Sequence, residues 1–434
     1  MIEILYIILQ VLIFLILFSS IPINKIIKVS NSKYPSLSEN IAFNFVLHSN
    51  FILILCILNL DINKISIIYL TSIPLIYIFF LRNNFQNIKI FKKNSFYEFM
   101  LIFLVSLFIF IDMSNKLILS WDAEKFWLSK SLNFYNEFTI ENLKNISRPH
   151  YPFLGPLISS LYWKLSFINE EYSRRLIFGF IYCSSVLLLI NNLELSKLYK
   201  IIFFSLLLLV TYDYFLILSG NQEILIFSII CIVMNSFYKI KNNKNENLLL
   251  HLIIIILSCN LLMWIKQEGI FYSFFLIFTL FFIIKLTYKQ KLLYLSIILG
   301  FFIFKLLIFK LYNLEISLNK SVVSSLALND LFLKITFDRF LLVLKYFFFA
   351  PFQSYFLLLG IILYFLNKIG KTKINYLNFY ILINFLFIFI VYLLIDNQEY
   401  NLKTGIDRLI FNVSPLIIIL LVEIINKKIK NYFL

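Results

Sequence analysis

Leu248-Leu249-Leu250-His251-Leu252-Ile253-Ile254-Ile255-Ile256-Leu257-Ser258-Cys259-Asn260-Leu261-Leu262-Met263-Trp264-Ile265 leads into Lys266-Gln267-Glu268-Gly269 and then into Ile270-Phe271-Tyr272-Ser273-Phe274-Phe275-Leu276-Ile277-Phe278-Thr279-Leu280-Phe281-Phe282. A helix that crosses a bilayer needs about 20 mostly apolar residues. The two runs therefore read as spans over 248–265 and 270–284, joined by a polar turn. Ionisable groups between two membrane helices are costly to keep there, so they pair or face a cavity. On one reading Lys266 binds a phosphate and Glu268 orients it. On the plainer one the turn is only a tight connection in which Gly269 supplies flexibility.

The same pattern recurs along the chain. Of 434 residues 61% are hydrophobic, with 51 Phe, and the mean hydropathy is +0.88, far outside the composition of a soluble domain. Further spans are expected near 3–24, 41–60, 65–81, 98–114, 176–190, 201–218, 222–238, 292–309, 341–366, 376–396 and 408–426. The expected fold is all-α, a polytopic transmembrane helical bundle of about 13 helices. An N-terminal three-helix membrane segment, 1–97, precedes the main transmembrane region, 98–426, with its external loop 115–175, and a basic tail, 427–434, closes the chain.

The formal net charge is +16, but the cations fall mostly in short loops, which is how topology is set in bilayers rather than a sign of nucleic acid as a partner. Lys25, Lys28 and Lys33; Arg82, Lys89, Lys92 and Lys93; Lys197 and Lys200; Lys239, Lys241 and Lys244; Lys285, Lys289 and Lys291; Lys368, Lys371 and Lys373; and Lys427, Lys428 and Lys430 all fall on one side by parity. That side is expected to be cytoplasmic, in a multi-pass protein of the cell inner membrane. Parity closes only if 153–169, with Pro152, Gly155, Pro156, Trp163 and Lys164, stays out of the membrane as a short interfacial helix on the outer surface. Cys56, Cys183, Cys231 and Cys259 lie inside apolar segments without a CxxC pair and read as small hydrophobes. The run from Ile4 to Phe18 has neither a basic n-region nor a cleavage site and is expected to remain as a helix.

The opposite face collects most of the unusual polar residues. Trp121-Asp122-Ala123-Glu124 follows an apolar helix. A carboxylate at the lip of a membrane helix is partly desolvated and accepts a proton better than one in free water. Asp122 is thus a candidate general base, or simply the N-cap of a helix from Ala123 to Leu132. Glu124 is a second candidate carboxylate or a metal ligand; a divalent metal is left open, because no clustered partners compel one. Trp121 and Trp127 form either a platform for a sugar ring or an interfacial anchor. In Arg148-Pro149-His150-Tyr151-Pro152 two prolines stiffen the backbone and present Arg148, His150 and Tyr151 in fixed directions, which suits a phosphate; an ordinary extended connection needs no more than the prolines. Glu223 closes the turn Ser219-Gly220-Asn221-Gln222-Glu223, and Asp213 lies inside the preceding span, where an acid is a functional candidate by default or simply accepts a hydrogen bond from Tyr212 or another helix. Asp407-Arg408 opens the last expected span, with Pro415 inside it; Arg408 is a lipid-phosphate ligand or a snorkelling helix-end residue.

Taken in order, these motifs resemble the GT-C class of integral-membrane glycosyltransferases, nearest the branch of protein O-mannosyltransferases and the bacterial enzymes that transfer aminoarabinose to lipid A. Asp122 and Glu124 resemble the acidic motif of the family's first large external loop, except that Ala123 separates the two acids. Arg148 to Pro152 with Pro156 is similar to its P-x-Y-P segment, and Lys266 to Gly269 to its K-x-E-G turn. The resemblance covers roughly 98–426; three extra helices precede it, and no sizeable C-terminal soluble domain follows. It implies an inverting transfer of a sugar from a polyprenyl-phosphate donor to a glycan, lipid or protein hydroxyl at the outer face, with Asp122 as base and Arg148, His150, Lys266 and Arg408 stabilising the departing phosphate. Trp121, Trp127, Tyr151, Asp213, Glu223 and Glu268 complete the expected substrate contacts. A donor anchored at about 0.8 kcal/mol per buried CH₂ explains an enzyme embedded in the membrane. The rival expectations are a polysaccharide polymerase or ligase of the O-antigen type, and a lipid or sugar transporter or flippase. A transporter favours broken helices and midplane charge.

Overall fold

The computed structural model describes residues 2–19, 36–82, 93–212, 217–242, 248–284, 286–314, 334–353 and 375–433. Every regular element among them is helical. In chain order the longer ones are α1 (Ile2–Ser19), α2 (Leu37–Ile57), α3 (Ile62–Arg82), α4 (Lys93–Lys116), α5 (Ser129–Tyr135), α6 (Leu154–Lys164), α7 (Leu176–Ile190), α8 (Lys197–Tyr212), α9 (Glu223–Asn242), α10 (Leu248–Ile265), α11 (Gly269–Ile283), α12 (Tyr288–Leu311), α13 (Phe337–Gln353), α14 (Asn375–Leu394), α15 (Gln398–Phe411) and α16 (Ser414–Phe433). Among the described residues seven helical segments are long and apolar enough to cross a membrane, and four shorter apolar helices accompany them. These are the features of a multi-pass membrane protein. Asp213 and the second half of the expected span 341–366 lie outside the described residues.

One hydrophobic cluster runs from Ile7 to Val422 and includes residues of α1, α2 and α3. Phe14 and Phe18 of α1 meet Tyr162 of α6 and Phe180 of α7, with ring centroids 5.4–6.0 Å apart. At the centre α9 packs along α7, α10 and α16. All fifteen residues of α7 are buried, which is why that segment is apolar on every side rather than along one stripe.

Two expectations are corrected. The segment 153–169 does form a short helix, α6, whose 11 residues span about 16 Å and cannot cross a bilayer. It does not lie on the surface: Leu154 to Trp163 are all buried. Its hydroxyls are satisfied inside, Ser160 Oγ donating to the Ser131 carbonyl at 2.7 Å and Tyr162 meeting Tyr69 at 2.9 Å. The expected span 408–426 lies within a helical segment that begins earlier, at Gln398, and passes through a turn at Asn412-Val413, so Arg408 lies in the last turn of α15 and does not open the segment. Pro415 suits that turn: it has no N–H to give and is accommodated in the first turn of α16.

Candidate functional site

The acidic motif is held by its neighbours before it does anything else. Ser120 N–H donates to the Ser219 carbonyl at 3.1 Å, and Ser120 Oγ donates to Asn221 Oδ1 at 2.7 Å. The turn that carries them needs Gly220, whose φ of +76° lies in the left-handed region. Behind it Arg175, 1% exposed, donates to the carbonyls of Ile118, at 2.7 Å, and Leu218, and pairs with Glu171 at 3.0 Å. Arg175 thereby ties the two chain segments that enter the site. Its signal in the sequence is a basic pair, Arg174-Arg175, at the start of an apolar span.

Ser120 rather than Asp122 caps the following turn, its Oγ accepting from the Ala123 N–H at 3.3 Å. The turn is a π-helix, Ala123–Leu128, that runs into α5. Asp122 makes no cap hydrogen bond, so the N-cap alternative is set aside and its carboxylate turns to the bundle. There Arg408 Nη1 reaches Asp122 Oδ2 at 2.5 Å, while Arg408 Nε reaches Glu223 Oε1 at 2.6 Å. Lys266 Nζ meets the same Glu223 oxygen at 2.8 Å and Glu268 at 3.8 Å. Five of the residues singled out from sequence, carried by four separate segments, thus form one chain of ion pairs with three acids and two bases. Glu223 is wholly buried at the start of α9, whereas the Asp122 side chain remains 29% exposed. Burial opposes charge on Lys266, but Glu223 and Glu268 outweigh it and hold the ammonium above the ordinary lysine range.

Gly269 has a role other than flexibility. A Cβ on it would lie 1.9 Å from the Leu262 carbonyl oxygen, so the turn closes only because the side chain is absent. That closeness sets Lys266 and Glu268 against α9.

A second group adjoins the first. Arg148, at φ +55°, folds its guanidinium over the Phe126 ring at 4.6 Å and donates to Tyr151 Oη at 2.5 Å. Tyr151 stacks on buried Trp127 at 5.8 Å and meets His150 edge-on at 4.9 Å. Trp121, 62% exposed, stands edge-on to Phe126 at 5.3 Å. Burial raises the Tyr151 phenol above its usual range against the opposing pull of Arg148, and the Glu268 and Asp122 carboxylates reinforce burial, which links the two groups electrostatically. Glu124 is not brought in: its side chain points outward, 55% exposed, and pairs with Lys125 at 3.5 Å.

Two buried lysines were missed. Lys130 donates to the Tyr151 carbonyl at 2.5 Å, and Lys305, from α12, to the Met263 carbonyl at 2.6 Å. Burial, with Lys305 nearby, lowers Lys130 to about 7. Lys305 stood in plain view as a cation inside the apolar run Phe301 to Phe309, the kind of placement that flagged Asp213. Lys130 gave less signal, because Ser129-Lys130-Ser131 reads as a solvated helix face.

Near these groups several buried polar atoms have no hydrogen-bond partner among the described residues: Glu223 Oε2, both amide atoms of Gln222, and Trp127 Nε1. The arrangement offers open acceptors, an amide, an indole donor and aromatic faces, beside cations that can exchange one anion for another. Among the described residues no three His, Cys, Asp or Glu are grouped to hold a metal ion. Compared with family models, characterised proteins and solved structures, the chain matches none.

Proposed function

We propose that this protein is a membrane glycosyltransferase of the GT-C type, moving a sugar from a polyprenyl-phosphate donor to an acceptor hydroxyl at the end of the bundle where Asp122 lies, taken as the outer face from the distribution of lysines. The observation that carries the reading is the ion-pair chain from Asp122 through Arg408 and Glu223 to Lys266. Arg408 is shared between two carboxylates, so a donor phosphate arriving beside it competes with Asp122 for the guanidinium. Asp122 then becomes free to take the acceptor's proton. The acceptor oxygen forms its bond to the anomeric carbon as the bond from that carbon to the phosphate oxygen breaks, and the phosphate leaves with the electron pair. Arg408 and Lys266 stabilise the charge that develops on it. The aromatic group of Trp121, Phe126, Trp127 and Tyr151 supplies faces for a sugar ring, and the unpartnered atoms of Glu223, Gln222 and Trp127 suit its hydroxyls.

A transporter is the second reading. It is favoured by the buried carboxylate of Glu223 bridging Arg408 and Lys266, since ionisable groups inside a helical bundle also mark transport paths.

Asp122→Asn separates the two. With a radiolabelled polyprenyl-phosphate sugar and a hydroxyl acceptor, the variant is expected to lose roughly 10²–10⁴-fold in transfer while remaining inserted and folded. Transfer at the native rate removes Asp122 as base. Donor movement across proteoliposomes with no transfer by the native protein favours transport.

A further inference from the structure

The helices that carry the candidate site have a second polar assembly at their other ends. A cleft of about 540 Å³ is lined by Asn191, Asn192, Leu193 and Glu194 after α7, by Tyr238, Lys239, Lys241 and Asn242 at the end of α9, and by Glu423, Asn426 and Lys427 of α16. Glu223 begins α9 and Lys239 lies 16 residues further on, about 24 Å at 1.5 Å per residue. The separation approaches the hydrocarbon thickness of a bilayer. The cleft therefore sits at headgroup depth on the face that bears the basic loops.

Its walls are built rather than incidental. Asn426 Nδ2 donates to the Asn192 carbonyl at 3.0 Å and to Tyr238 Oη at 2.9 Å, and Asn426 Oδ1 accepts from the Glu194 N–H at 2.9 Å. Lys241 is neutralised by Glu423 at 3.0 Å. Lys239 and Lys427 have no carboxylate within ion-pair distance among the described residues, which leaves two cations, with the Glu194 carboxylate elsewhere in the lining, on a rigid polar frame. Next to this rim, α8 turns Leu198, Ile202, Leu206 and Leu209 outward as one exposed apolar stripe, a track of the kind an acyl chain would follow.

We propose that this cleft binds a phosphate-bearing polar group, with Lys239 and Lys427 as its ligands, separate from the site around Asp122. The chemistry is that of an anionic phosphate ester, and the two sources are a lipid headgroup of that leaflet and a soluble phosphate. The full-length protein in detergent, given phosphatidylglycerol, is assayed by native mass spectrometry for retained lipid, beside Lys239→Ala/Lys427→Ala and a control, Lys289→Ala/Lys291→Ala, on the same basic face outside the cleft. Lysines near a membrane surface attract anionic headgroups, so retention should fall roughly tenfold or more in the first pair and stay unchanged in the control. Lys239→Arg/Lys427→Arg should bind as the native protein does, which separates loss of charge from misfolding. Displacement by millimolar glycerol phosphate assigns a soluble ligand, and resistance to it assigns the lipid; either result supports a phosphate site. Equal retention by the native and double-alanine proteins, or equal loss in the control, overturns the proposal.

Discussion

Glu223→Gln tests the ion-pair chain at its centre. Glu223 is fully buried, and one of its oxygens serves two cations, Arg408 at 2.6 Å and Lys266 at 2.8 Å. Removing one partner of a buried ion pair costs about 3–5 kcal/mol, because the charge left behind stays desolvated without compensation. Here each cation keeps a second carboxylate, Asp122 at 2.5 Å and Glu268 at 3.8 Å. The lower end, about 3 kcal/mol, is therefore expected. Chemical unfolding of purified protein in detergent, followed by tryptophan fluorescence, measures it. Lys266→Met in the same chain removes the more weakly compensated cation, so the double variant should recover about 1–2 kcal/mol relative to the sum of the single changes. A Glu223→Gln protein within about 0.5 kcal/mol of native stability, or a double variant that is merely additive, would refute the view that Glu223 holds the two cations together.

Two other perturbations follow from the same geometry, besides the loss of transfer expected for Asp122→Asn. Lys130 is held at about 7 when folded and returns to the ordinary lysine value of 10.5 when unfolded, so between those values the unfolded chain binds the extra proton. Stability should rise with pH across that window, by about 2 kcal/mol from pH 7 to pH 9, and Lys130→Met should lack that rise in paired unfolding curves at the two pH values; parallel curves would remove Lys130 as its source. Gly269→Ala forces a Cβ onto the Leu262 carbonyl, a backbone atom that cannot swing aside. It should cost at least about 1–3 kcal/mol in thermal unfolding and lower transfer, whereas Gly300→Ala, where nothing lies within 4 Å of the added carbon, should do neither.

Helical spans were legible because lipid demands long apolar runs, and α10 with α11 appears essentially where hydropathy put it. Helix ends were less legible where the last turn is polar: α15 reads as a loop from Gln398 to Asp407, yet it is helical and carries Arg408 to Glu223. The environment of 153–169 was misjudged for a related reason. Its Ser159, Ser160, Tyr162 and Trp163 look interfacial by composition, but each of these polar groups finds a partner inside the protein, so the helix can be buried. Composition records that a polar group exists and is silent on whether its partner is water or protein.

The same limit explains why the site residues could be nominated and their pairing could not. Parity placed the turn at Lys266, the start of α9 and the loop at Asp122 on one face, and three short polar connections at one end of a helical bundle have few places to go. What parity does not fix is which charge meets which. Asp122 and Arg408 are 286 residues apart, and their contact comes from the last turn of α15, a helix whose polar first turns hide it from a search for apolar runs. Arg408 thus does what no local pattern announces: its Nη1 reaches Asp122 and its Nε reaches Glu223, so one guanidinium at the end of α15 joins the loop to the start of α9.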